Sequence, residues 1–94
     1  MENKFVVVTT EKKGVFAGEL KEHNKEKETC ILKNAKMCVY YCSDVKGVLG
    51  LANTGPLPGC KITPVIPKIY LNGVTSIMDC TKEAKKNWSK EIWG

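Results

Sequence analysis

The sequence predicts a mainly β domain, a small SH3-like or Sm-like barrel built on a bent sheet, with one C-terminal α-helix. Three observations predict it. Short β-branched or alternating runs recur from Phe5 to Asp79, each bounded by turn residues. Gly18 interrupts one of these runs, which marks a bend or bulge rather than a straight strand. After Thr81 the apolar residues switch to helical spacing. With 94 residues and 43% hydrophobic content, the chain supports one core and so one domain over residues 1–94.

Each element follows from local chemistry. Phe5 to Thr10 is a β-branched run, and Glu11 to Gly14 is a turn with glycine where positive φ costs little. Val15 to Glu22 alternates, with Phe16, Gly18 and Leu20 on one face and Ala17, Glu19 and Lys21 on the other. His23 to Lys27 reads as a polar loop. Thr29 to Lys33 and Met37 to Cys42 read as two further strands, broken at Asn34-Ala35-Lys36. Ser43 to Gly47 is a turn, and Val48 to Ala52 is apolar but interrupted by glycine. Asn53 to Gly59, with two prolines and two glycines, suits neither regular helix nor strand.

Cys60 to Ile66 reads as an edge strand, because Pro64 and Pro67 would break an interior ladder. Ile69 to Leu71 and Val74 to Met78 flank Asn72-Gly73, the sequence of a type I′ hairpin. Strands thus occupy residues 5–80. Thr81 is placed to cap a helix over residues 82–93, with Glu83 in its first turn. Ala84, Trp88 and Ile92 form its apolar stripe, and Lys82, Lys86 and Lys90 a basic stripe read as its solvated side. A closed barrel hides its strand edges; incomplete closure would leave one for another subunit, so a homo-oligomer is expected.

Charge and cysteine narrow the function classes. The formal charge of +5 is carried by lysine alone, since the chain contains no arginine. Arginine is the usual bidentate reader of guanine and phosphate, so sequence-specific DNA binding is disfavoured. Between Thr29 and Met78 stand Lys33, Lys36, Lys46, Lys61 and Lys68 against one acid, Asp44. That balance is compatible with an anionic partner, or with a plain solvated basic face. The five cysteines (30, 38, 42, 60 and 80) show no paired spacing for zinc. They read as reduced thiols of a cytoplasmic interior, and no metal or cofactor is expected. No apolar run approaches the roughly 20 residues of a membrane span. The opening Met1 to Thr10 segment does not read as a signal peptide.

Catalytic patterns are also missing. His23 lies in a charged stretch, Cys38 or Cys42 lacks a nameable base, and the glycine segments lack phosphate-loop spacing. A non-enzyme is expected. The segment from Lys36 to Lys61 combines Tyr40, Tyr41, Lys36, Lys46, Lys61 and the loop residues Asn53, Thr54 and Gly55. Aromatic surface can stack a base, and lysines with exposed backbone amides suit phosphate. The expected binding residues are Lys36, Tyr41, Lys46, Asn53, Thr54, Gly55 and Lys61. Alternation places Tyr40 and Tyr41 on opposite faces, so at least one should be buried.

The segments Lys13-Gly-Val-Phe-Ala-Gly-Glu-Leu20, Asn34-Ala-Lys-Met-Cys-Val-Tyr-Tyr41, Asp44-Val-Lys-Gly-Val-Leu-Gly-Leu-Ala-Asn-Thr-Gly-Pro56 and Leu71-Asn-Gly-Val-Thr-Ser-Ile-Met-Asp-Cys-Thr81 carry a resemblance. Together they resemble a family of small, uncharacterised phage and prophage proteins. The resemblance implies a phage product acting in the cytoplasm of an infected bacterium. Such a context implies an anti-defence protein that sequesters a nucleotide immune signal, of cyclic ADP-ribose type or a cyclic oligonucleotide, without cleaving it. An Sm-like ring binding single-stranded RNA, and a structural or host-protein-binding phage component, are the alternative expectations.

Overall fold

The computed structural model describes residues 4–11, 14–41 and 43–90, at Asp44 the backbone alone. Six strands make one antiparallel sheet. In chain order these are β1 (Phe5–Thr10), β2 (Val15–Asn24), β3 (Thr29–Tyr40), β4 (Lys61–Ile62), β5 (Ile66–Leu71) and β6 (Val74–Asp79). A 3-10 turn at Ser43–Val45 leads to helix α1 (Val48–Asn53), and helix α2 (Lys82–Trp88) follows the last strand. The mainly β class with a C-terminal helix is therefore observed.

β1 lies between β2 and β6, and β2 pairs in turn with β3. Val6, Val7 and Val8 are all 0% exposed. Successive side chains of a strand point to opposite faces, so both faces of β1 are covered. Val7 joins a core with Leu51, Ile62, Ala84 and Trp88 on the helical side. Val6 and Val8 join Cys30, Leu32, Ala35 and Leu71 on the other.

The bend expected at Gly18 falls where the β2–β3 register shifts. Ala17 opposes Lys36 while Glu19 opposes Lys33, so β3 holds one residue more than β2 across this stretch. Asn34, in β3, has a φ of 50°. A Cβ on Gly18 would lie 3.0 Å from the Lys33 carbonyl oxygen, so the strands approach closely here and a side chain would press on the β3 backbone. The break expected at residues 34–36 is thus a bulge inside one long strand, which keeps its pairing with β2 on both sides. Likewise β2 runs through His23 to Asn24, and the turn is confined to residues 25–28.

The sheet does not close into a barrel. β5 pairs with β3 and β6 with β1, at opposite edges of the sheet, so Asn72-Gly73 links two edges and does not make the expected hairpin. Of that pair Gly73 alone has positive φ, 64°, whereas a type I′ turn needs it at both positions. Hydrogen bonds from Glu11 N to Gly73 O at 2.8 Å and from Val74 N to Glu28 O at 2.9 Å draw the link to other turns. The expected edge strand at residues 60–66 shortens to β4, and Pro67 sits in β5, an edge strand where its missing donor is tolerated.

Helix α1 occupies the apolar segment for which no regular element was expected. Its glycine is a packing requirement: a Cβ on Gly50 would overlap the Val45 carbonyl oxygen. Gly55, at a φ of 79°, follows its C-terminus. In α2 the expected cap is present, with Thr81 Oγ1 accepting from Ala84 N at 3.0 Å. Ala84 and Trp88 are buried, as their spacing implies. The helix ends at Trp88, short of the expected residue 93, and Ser89 and Lys90 form a turn; residues 91–93 lie outside the described residues. Among the described residues, no helix is long and apolar enough to cross a membrane.

Trp88 is 1% exposed and donates its indole N–H to Leu51 O at 2.9 Å. Trp88→Phe leaves that buried carbonyl unpaired and is expected to cost about 1–3 kcal/mol, read by urea denaturation. Gly50→Ala is expected to cost at least as much, about 1–3 kcal/mol for overpacking against backbone that cannot move aside.

Candidate functional site

β3 beyond its bulge, the link from Ile62 to Val65, and α2 enclose a groove of about 740 Å³. Phe5, Ile62 and Trp88 supply apolar wall, while Lys36, Lys85, Asn34 and Glu19 supply polar groups. That volume lies within the range of small-molecule sites, which combine apolar surface with a few polar groups. The link is held in place by two hydrogen bonds to β3, from Met37 N to Thr63 Oγ1 at 2.9 Å and from Thr63 N to Met37 O at 3.0 Å. Asn34 donates its amide to Glu19 Oε2 at 2.6 Å. The bulge that gives Asn34 its positive φ therefore also engages the groove's acid.

Lys36 donates from Nζ to Trp88 O at 2.8 Å and to Lys90 O at 3.3 Å. These are carbonyls at the C-terminal end of α2, where the helix presents partial negative charge. Lys36 is therefore a clasp on the helix end as well as a groove residue. Lys85, on α2, is exposed and borders the same groove.

The other expected binding residues do not gather here. Lys46, Asn53 and Thr54 line a second cavity of about 590 Å³ beside α1, together with Leu49 and Gly50. Thr54 is already engaged there: its Oγ1 donates to Gly50 O at 3.1 Å, and its carbonyl accepts from Asn87 Nδ2 at 2.7 Å. Asn53 O accepts from Thr81 Oγ1 at 2.5 Å. Gly55 is buried against α2, where a Cβ would lie 2.8 Å from the Ala84 carbonyl oxygen. Tyr41 and Lys61 are exposed and line neither of these two cavities.

Tyr40 and Tyr41 are both exposed, at 56% and 37%, against the expectation that one would be buried. Tyr40 is the last residue of β3 and faces only the two-residue β4, so no layer covers it. Sequence reasoning missed Phe5, Asn34 and Lys85. Lys85 stands one residue from Ala84 of the apolar stripe, which places it at the border of the buried face; that position was the available signal.

The described cysteines lie within or against the packed interior. Cys30, Cys38 and Cys60 are buried, Cys80 is half-buried, and Cys42 lies outside the described residues. Burial pushes the Cys30 thiol up. Burial, with the Asp79 charge adding to it, pushes Cys80 up to about 12. Nucleophilic and metal-binding cysteines need the opposite shift. Among the described residues, no group of His, Cys, Asp and Glu is placed to hold a metal ion.

Residues 3–88 match a domain of unknown function, DUF6948. The chain belongs to that family. The match runs from just before β1 to the end of α2, so the sheet and both helices lie within the DUF6948 domain. Comparison with curated proteins gives no match.

The Cys80 thiol ionises near 9.0 in an ordinary setting and near 12 when folded. The folded state thus holds the extra proton between those values, and this contribution to stability is lost as pH rises through them. Between about pH 8 and 10 the parent protein is expected to lose stability relative to Cys80→Ala, measured by urea denaturation. A pH-independent difference would contradict the shift.

Proposed function

We propose that this DUF6948 protein is a non-enzymatic capture protein for a small phosphate-bearing nucleotide, which it holds in the groove between β3 and α2. The observation that carries the reading is the pairing, in one groove of about 740 Å³, of apolar wall from Phe5, Ile62 and Trp88 with the ammonium groups of Lys36 and Lys85. A base needs the first and a phosphate the second.

The resemblance to phage and prophage proteins supports a biological setting for such capture. In an infected bacterial cytoplasm, it would withdraw a nucleotide immune signal of cyclic ADP-ribose type or a cyclic oligonucleotide. The exposed edges of β5 and β6 are the surfaces through which copies would assemble.

Isothermal calorimetry with a panel of cyclic dinucleotides and ADP-ribose derivatives tests the reading. At least one compound is expected to bind, and Lys85→Ala to weaken it about tenfold through loss of a charge-assisted contact. Chromatography of the released compound should return it intact. A panel without any binding heat would sink the proposal, and a cleaved product would overturn its non-enzymatic part.

A further inference from the structure

A second cationic surface lies on the outer half of the sheet, formed by residues that border neither cavity. Lys33 on β3 and Lys68 on β5 are register partners. Like charges placed directly opposite in a ladder repel and weaken it. Lys21 joins them from β2, at the register shift between Leu20 and Glu22. Its pKa is lowered by the side-chain contact with Lys68, then by the Lys68 charge, burial and the Lys33 charge. The three ammonium groups therefore share one field.

Nearby acids offset that field in part. Glu19 opposes Lys33 on the β2 side, where its carboxylate also accepts from the Asn34 amide at 2.6 Å. Glu22 favours the charged form of Lys68 only as the weakest of several influences. Among the described residues the ion pair is Lys4–Asp79, at the β1–β6 end of the sheet.

An aromatic ring completes the surface. Tyr70 is 67% exposed, and Lys68 Nζ lies 5.3 Å from its ring centroid. Tyr70 is the register partner of Ile31, two positions along the ladder from the Lys33–Lys68 pair and so on the same face. Small ligands are usually held by burying most of their surface in a cavity. An open row of cations beside an exposed ring instead suits a polymer that spreads its contacts, with phosphates on the cations and a base on the ring. Lysine contributes a point charge without bidentate base reading, so such binding would tolerate sequence.

We propose that Lys21, Lys33, Lys68 and Tyr70 form a binding surface for single-stranded nucleic acid, with backbone phosphates on the lysines and one base stacked on Tyr70. The surface is independent of the nucleotide groove. Fluorescence anisotropy of the whole protein with a labelled oligothymidylate of about twelve nucleotides tests it. Saturable binding is expected, with log K falling against log salt at a slope of about −2, as for roughly three neutralised phosphates. The double variant Lys33→Gln/Lys68→Gln should bind at least about tenfold more weakly, and Tyr70→Ser about tenfold more weakly. All these positions are exposed, and unchanged urea midpoints would show that the variants fold. Lys85→Ala should leave oligonucleotide binding intact, which separates this surface from the groove. Absence of binding at low salt, full affinity in the double variant, or equal affinity for a duplex of the same length would overturn the proposal.

Discussion

Burial of Trp88 is the contact on which the rest of the structure depends. Its indole N–H satisfies the Leu51 carbonyl inside the core, so one side chain binds α2 to α1 and both to the sheet. A buried tryptophan removes about 150–250 Å² from water, worth about 4–6 kcal/mol as an upper estimate. For a domain whose net stability is about 5–15 kcal/mol, that is a large share. The same residue forms part of the groove wall, and its backbone carbonyl receives Lys36. The helix end, the groove and the groove's inner cation are therefore one cooperative unit. Thr81 on Asn53, Asn87 on Thr54 and Gly55 against Ala84 fasten the two helices further along the same seam.

The bulge at Asn34 divides β3 into two halves. Before it, Lys33 stands opposite Lys68 on the exposed part of the sheet. After it, Lys36 reaches the end of α2 and borders the groove. Two lysines three positions apart thus belong to different surfaces, one open and one recessed. β5 follows the first half of β3 while β4 takes the second, and β6 is committed to β1. The two-residue link between β5 and β6 joins edges that never pair.

Much of the fold was legible in local pattern. The alternation and β-branched content located β1, β2 and both halves of β3, and the Thr81 cap with the Ala84–Trp88 spacing located α2. Helix α1 was hidden because glycine in Val48–Asn53 argues against a helix on propensity, whereas Gly50 is there to admit the Val45 carbonyl. The Asn72-Gly73 signal failed for a comparable reason: a strong local turn preference gave way to longer ladders that each flanking strand makes elsewhere. The candidate site was less legible still. Proximity along the chain joined Lys36, Tyr41, Lys46, Asn53, Thr54, Gly55 and Lys61, but the fold divides them between a groove, a second cavity, a packed helix contact and open surface.

By itself the sequence determined the class of the molecule: a mainly β fold with a capped C-terminal helix, its positive charge carried by lysine alone. Composition and short-range periodicity are sufficient for that, because propensity, capping and burial act over a few residues. Only the tertiary structure decided which cations face one another and which side chains share a groove. Those relations span separations as long as Lys36 to Trp88 and Lys33 to Lys68, and they depend on a single extra residue in one strand. A one-residue change of register moves a side chain to the other face of a sheet, so no local pattern could have assigned them.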